Sequence, residues 1–225
     1  MFERPHHRRI VSVLSDMSPA FLRDTPCCFA GGTCLALRLG EYRESVDIDF
    51  LCSSVVGYRA IRSTVTERSL GELFRVPPRL LREVRADRYG IRTVLEKEGV
   101  PIRFEVVLEG RISLSCEEVD NLPVPVLDRA GLFAEKLLAN CDRYADRSTF
   151  SRDLIDLLIM KGCWSEVVSE ALATAETVYG PVVQASYERA ARALRDDPAY
   201  LARCFEALSV SADAQAEVRD RLGGA

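Results

Sequence analysis

The chain has 225 residues and 25.1 kDa, is 48% hydrophobic and 28% charged, and carries a formal net charge of −4. That composition excludes disordered, collagen-like and fibrous chains, and the length suits one or two domains. No run approaches the ~20 apolar residues of a membrane span, and Ile10-Val11-Ser12-Val13-Leu14 is too short for a signal-peptide core, so a cytoplasmic product with no membrane association is expected.

Apolar residues at helical spacing predict a first helix over 7–23, with Pro19 as a potential interruption. Thr25-Pro26-Cys27-Cys28-Phe29-Ala30 reads as a buried strand. It runs into Gly31-Gly32-Thr33, after which Cys34 to Leu39 reads as a helix ending at Gly40. The alternation of Val46-Asp47-Ile48-Asp49-Phe50-Leu51 predicts a second strand, and 56–75 a helix. Strands follow at about 82–88, 90–96 and 101–108, separated by turns at Tyr89-Gly90 and Glu98-Gly99, with a further short strand at 111–115. From Asp128 the periodicity is helical throughout: 128–143, 150–161, 164–178, 181–195 and 198–222, broken near Ser209-Val210-Ser211. The expected fold class is therefore α+β, with a mixed or antiparallel sheet domain at 1–127 and a helical bundle at 128–225. Asn121 to Leu127, with two prolines, marks the boundary.

Eight cysteines are scattered, mostly among apolar neighbours and without a C-x-x-C pair, so they are expected to be buried free thiols. Two histidines, His6 and His7, supply no zinc-ligand spacing. Residues 59–103 carry eleven Lys/Arg against six Asp/Glu, whereas 104–225 carry thirteen against twenty-one. The basic segment suits either a polyanion surface or a solvated face. Only three of the thirty basic residues are lysines: Lys97, Lys136 and Lys161.

Chemistry concentrates between residues 26 and 51. A Gly-Gly turn between strand and helix lets the backbone approach a ligand, and its N–H groups with the helix start make an anion site. Thr33 adds a hydroxyl there. Asp47 and Asp49, at i and i+2 of a strand, share a face while Ile48 and Phe50 point to the core. Adjacent carboxylates repel, and a divalent cation resolves the conflict; Mg²⁺ takes one or two carboxylates plus substrate phosphates. Taken singly, Gly-Gly-Thr is also an ordinary capped turn, and Asp-x-Asp an ordinary exposed strand end.

Together, Gly31-Gly32-Thr33-Cys34-Leu35-Ala36-Leu37 and Arg43-Glu44-Ser45-Val46-Asp47-Ile48-Asp49-Phe50 resemble the signature of the AbiEii/AbiGii toxin-type nucleotidyltransferases, within the DNA polymerase β-like superfamily. Thr stands where the superfamily more often has Ser. A second stretch, Pro125 to Ala139 with Glu135-Lys136-Leu137, resembles the family's E-K-L-x-A segment. Arg143 and Ser151-Arg152-Asp153-Leu154-Ile155-Asp156-Leu157 resemble its R-D-x-x-D-L helix. The last 65 or so residues carry no recognised motif.

The resemblance implies a polymerase β-like nucleotidyltransferase domain ahead of the helical one. It also implies that Asp47 and Asp49 hold Mg²⁺ and the phosphates of a nucleoside triphosphate, and that Gly31, Gly32 and Thr33 bind the triphosphate. Lys136 would supply a positive charge, the alternative being a surface lysine paired with Glu135 or Asp142. Asp153 and Asp156, on one helix face, would orient Lys136 or activate the acceptor, or else pair with Arg152 or Arg143. Glu105 is the candidate third metal carboxylate, with Asp87 or Glu109 as alternatives. The implied activity is transfer of a nucleotide to an acceptor hydroxyl, an RNA or tRNA 3′ end, by a toxin opposed by a cognate antitoxin. Two other readings are a non-catalytic nucleotide- or antitoxin-binding protein and a transferase acting on a small molecule or protein.

Overall fold

The computed structural model describes residues 2–223. The chain forms two compact units: one comprises the residues up to Arg38 together with Ser45–Asp128, the other Leu39–Glu44 together with Arg129 onward. The helical unit thus includes a six-residue segment from the middle of the first unit's sequence.

The first unit begins with α1 (Pro5–Ser15) and α2 (Pro19–Asp24), each opened by a proline at its first turn, where a missing N–H costs nothing. Pro19 therefore starts a second helix rather than kinking one long one. β1 (Cys27–Ala30) follows, buried at every position. α3 (Gly31–Arg38) begins at Gly31 itself, so the glycines form its first turn rather than a linker before it. β2 (Ile48–Cys52) starts one residue after Asp47 and alternates between buried and half-buried.

α4 (Val55–Thr64) is shorter than the 56–75 helix expected. It ends where Thr64-Val65-Thr66 places three β-branched residues in a row. The Thr64 hydroxyl bonds back to the Ile61 carbonyl at 3.0 Å, and Val65 turns extended. The strand expected over 82–88 exists only as β3 (Arg79–Leu80) and β4 (Arg85–Ala86). The Asp87 carboxylate caps the next turn, accepting from the N–H groups of Tyr89 and Gly90, and thereby stops the extended run.

β5 (Gly90–Lys97) and β6 (Val100–Leu108) form a hairpin whose two loop residues, Glu98 (φ 54°) and Gly99 (φ 76°), are both left-handed, as a twist-matched two-residue turn requires. The strand expected at 111–115 is displaced to β7 (Cys116–Glu117). The proline-containing stretch before Asp128 contributes β8 (Val126–Leu127).

The sheet order is β3-β5-β6-β2-β1-β8-β7, with β4 also on β5. It is mixed: β1 runs antiparallel to β2, while β2 is parallel to β6 and β1 to β8. On its core side Phe29, Phe50, Phe104 and Phe74 make a chain of tilted ring contacts with centroids 5.5, 6.0 and 5.7 Å apart. Each such pair adds about 0.5–1.5 kcal/mol beyond its area. This stack fixes the faces of β2 and β6, because a one-residue slip would turn phenylalanines to solvent and carboxylates into the core.

The sheet also overturns the reading of all eight cysteines as free. Cys28 of β1 and Cys116 of β7 are disulfide-bonded, with Cα atoms 5.5 Å apart although 88 residues separate them. Sequence spacing carries no trace of that pairing; the strand order creates it. The other six are free, and burial pushes the Cys34 thiol up to about 12.

In the second unit, α5 (Arg129–Arg143), α6 (Arg152–Cys163), α7 (Val168–Tyr179), α8 (Val182–Asp196), α9 (Pro198–Ala207) and α10 (Ala212–Gly223) form the bundle. α5 is its axis, packing on α6, α7 and α8. The 39–44 segment docks on the turn between α9 and α10: the Glu44 N–H donates to the Leu208 carbonyl at 3.0 Å, and the Ser211 N–H to the Tyr42 carbonyl at 2.8 Å.

Candidate active site

The glycine turn and the carboxylate strand meet. Gly31 has φ +74°, a conformation that suits glycine, and a Cβ placed there would lie 2.6 Å from Oδ2 of Asp49. The missing side chain is what lets the start of α3 approach the β2 carboxylate. The first-turn N–H groups of a helix have no partner within the helix, so such a start presents donors and the positive end of the dipole.

Thr33 is fully buried. Its hydroxyl donates to the Asp47 carbonyl at 2.5 Å and lies 2.9 Å from the Ser45 hydroxyl. It therefore ties the first turn of α3 to the backbone that carries Asp47. Two residues with no assigned role reinforce the same segment from α1. His7 Nε2 accepts from the Ser45 N–H at 3.3 Å, and His6 Nε2 lies 3.1 Å from the Val46 carbonyl. The two histidines, unsuited to zinc by spacing, brace the entry to β2.

Asp47 and Asp49 are both half-buried, and with Glu105, Arg92, Arg103 and Phe104 they line a small cleft of about 70 Å³. Asp49 is in register with Glu105 on β6, and Glu105 with Arg92 on β5, so these side chains share one sheet face. Glu105 is hydrogen-bonded by the Arg92 guanidinium. Arg92 also lies 3.7 Å from Asp87. Glu109, the other alternative third carboxylate, is buried in a bidentate pairing with Arg111.

Among the described residues no three His, Cys, Asp or Glu side chains converge into a metal-binding group. The pair Asp47 and Asp49 nevertheless fits Mg²⁺, which binds through one or two carboxylates and completes its shell with water and phosphate oxygens. The close approach of Gly31 to Asp49 leaves backbone, not a side chain, beside that carboxylate.

The remaining candidates belong to the helical unit and form a buried network. Lys136 Nζ lies 3.0 Å from Asp153 Oδ1 and 2.7 Å from Asp156 Oδ2. Arg143 engages Asp153 with Nε and Nη2, at 2.5 and 2.9 Å. Arg43 makes a two-pronged contact with Asp156 at 2.6 and 2.8 Å, and the Tyr42 hydroxyl donates to the same carboxylate at 2.5 Å. Lys136 is thus no surface lysine, and its partners are Asp153 and Asp156 rather than Glu135 or Asp142.

Burial by itself would raise both aspartates. For Asp153 the charges of Lys136 and Arg143 overcome burial, and for Asp156 those of Arg43 and Lys136 do, holding both below the ordinary carboxylate value. Burial and the neighbouring Asp156 charge push Tyr42 well up. Arg43 and Tyr42 were not singled out by sequence reasoning. The signal was present for Arg43, which stands four residues before Asp47 in the Arg-x-Ser-x-Asp run.

Two crystal structures share the fold. A Helicobacter pylori protein designated a nucleotidyltransferase superposes with a TM-score of 0.52 at 16% identity, covering 97% of this chain and 92% of its own. JHP933 from Helicobacter pylori does so with a TM-score of 0.52 at 15% identity, covering 99% and 92%. No curated protein matches significantly. Residues 12–222 match the family described as nucleotidyl transferase AbiEii toxin, type IV TA system. With nearly its whole length matched, the chain belongs to the AbiEii nucleotidyltransferase toxin family of type IV toxin–antitoxin systems.

Proposed function

We propose that this enzyme transfers a nucleotide from a nucleoside triphosphate to the terminal hydroxyl of an RNA, a tRNA 3′ end above all, in a Mg²⁺-dependent reaction. The approach of Gly31 to the Asp49 carboxylate carries this reading, because it joins a helix-start anion cradle to a metal-binding carboxylate in one place. Asp47 and Asp49 would hold Mg²⁺, which when bound neutralises phosphate charge. Glu105, beside Asp49 in the sheet and engaged by Arg92, is the reserve third carboxylate. Gly31 and Gly32 offer backbone N–H groups to the triphosphate, and Thr33 holds the Asp47 backbone in place.

In the reaction, the acceptor oxygen attacks the α-phosphorus. The bond from that phosphorus to the β-bridging oxygen breaks, pyrophosphate leaves and the hydroxyl proton is released. Such chemistry rests on positioning and charge neutralisation. Lys136, Asp153 and Asp156 enter as the network that anchors Arg43, from which the chain runs directly to Asp47. A cytoplasmic toxin with an NTP substrate, an RNA acceptor and a cognate antitoxin follows from the same reading.

The test is incubation with each labelled NTP, Mg²⁺ and total cellular RNA. Label enters an RNA band with wild type, and Asp49→Asn lowers incorporation by about 100-fold or more. Undiminished incorporation by Asp49→Asn overturns the assignment.

A further inference from the structure

One register row crosses four strands of the first unit: Asp49 on β2, Glu105 on β6, Arg92 on β5 and Arg85 on β4. Paired positions point to the same face, so charge on that face changes from acidic to basic across three strand spacings, about 14 Å. The basic end opens into a hollow of about 530 Å³ lined by Arg82, Arg85, Arg92 and Arg103, with Glu83 and Val94. All four arginines are exposed. Arg92 is shared with Glu105 and Asp87, whereas Arg82, Arg85 and Arg103 make no ion pair among the described residues. The hollow and the small carboxylate cleft share Arg92 and Arg103.

Three exposed guanidinium groups gathered around a single carboxylate, Glu83, with which none of them forms an ion pair, repel one another and are poorly accounted for as stabilising charges. Their planar forks match phosphate oxygens in pairs. An acidic protein partner would call for an apolar or aromatic anchor at the centre of the patch, and the lining offers only Val94 as an apolar side chain of any size. The shared wall with the carboxylate cleft gives the better occupant: a strand whose terminal hydroxyl lies at Asp47 and Asp49 can lay its preceding phosphates along the arginines.

We propose that Arg82, Arg85 and Arg103, with Arg92 at the junction, form the track that binds the phosphate backbone of the acceptor nucleic acid. This rests on the RNA-acceptor reading and assigns the residues that would hold that acceptor.

The experiment measures binding of a short fluorescein-labelled single-stranded RNA to the full chain over a salt series, without NTP or Mg²⁺. The variants are the triple substitutions to Gln and to Lys at positions 82, 85 and 103. Each phosphate contact contributes about 0.7 to the slope of log K against log salt for single strands. The Gln variant should therefore lose about 2 from the slope, so that raising salt from about 50 to about 200 mM weakens wild type roughly 20-fold more than the variant. The Lys variant, keeping the charges, should retain most of the slope, which separates charge from a folding defect.

Equal slopes and affinities for wild type and the Gln variant overturn the proposal. So does a polyglutamate peptide that binds wild type as tightly as the RNA, which would mark an acidic-protein surface. Loss of ATP binding with unchanged RNA binding in the Gln variant also overturns it, placing the triphosphate there instead. Because no chemistry occurs in this assay, loss of transfer in Asp49→Asn and loss of the salt slope in the Gln variant are separate results.

Discussion

Two groups of acidic and basic side chains, built from the same chemistry, lie in opposite solvent environments. On the sheet face, Asp49, Glu105, Arg92 and Arg85 stand in one exposed or half-buried row, and Arg85 with the neighbouring Arg82 and Arg103 makes no ion pair among the described residues. In the helical unit, Arg43, Lys136, Asp153 and Asp156 are buried and interlocked. Buried charges are tolerated only when fully compensated, and removing one partner leaves an uncompensated charge in a poor solvent. Exposed charges stay hydrated at little cost and remain available to an incoming ligand. On the proposed reading, the bundle network serves as structure, and the sheet face is the place for a polyanion and a metal.

The sharpest way to break this contrast is Asp156→Ala. It strips Arg43, Lys136 and Tyr42 of a shared partner and should cost about 3–5 kcal/mol in chemical denaturation. A loss below about 1 kcal/mol would mean the network is not the keystone described. Asp49→Asn, expected to lower transfer about 100-fold, should by contrast shift stability by no more than about 0.5 kcal/mol, because a half-buried surface carboxylate is not a folding element.

Gly31→Ala joins the two kinds of effect. The φ of +74° and the 2.6 Å approach to Asp49 Oδ2 force the helix start or that carboxylate to move. A stability loss of about 1–3 kcal/mol is expected, with transfer falling further than stability. Wild-type transfer would show that the turn and the carboxylate do not work together.

Acid sharpens the comparison from the other side. Asp153 and Asp156 titrate below the ordinary value of 3.8, so the stability they contribute is fully present above it and is lost as pH falls below it. Melting temperature should hold from neutral pH to about pH 5 and then decline. Asp153→Asn should show a lower plateau and a shallower decline, and an unchanged acid limb would remove Asp153 from the cause. The smallest effect belongs to Arg23→Ala: its pair with Glu118 has side chains 55% and 58% exposed and should contribute less than about 1 kcal/mol.

Much of the fold was legible wherever a pattern was local. The alternation of Ile48-Asp49-Phe50 and of Phe104-Glu105-Val106 shows which side chains reach the core, and the Glu98-Gly99 turn is written in its two residues. The helices after Asp128 follow from their apolar spacing. What failed was also physical. Residues 56–75 looked helical by apolar spacing, yet the β-branched run at Thr64-Val65-Thr66 ended the helix. Arg82 to Arg88 looked extended, but the Asp87 carboxylate accepts from the Tyr89 and Gly90 N–H groups and turns the chain there, and only Arg85–Ala86 pairs with β5. Cys28 and Cys116 carry no sequence mark of their bond.

The candidate residues divide the same way. Asp47 and Asp49 were recognisable as a pair from their i, i+2 spacing, and Gly31 from its place between strand and helix. Asp153 and Asp156 were recognisable as groups that could orient Lys136, from their i, i+3 spacing on one helix face. Arg43 was not, because it reaches Asp156 only when α6 and the 39–44 segment pack together.

By itself, then, the sequence determined the alternation of faces, the glycine turn between strand and helix and the family signature, all of which depend on neighbours a few residues apart. Tertiary structure alone decided that Glu105 lies beside Asp49, that Arg85 continues their row, and that Arg43 belongs to the helical unit. Each of these is a meeting of segments far apart along the chain, set by strand register and by which charges the interior could neutralise.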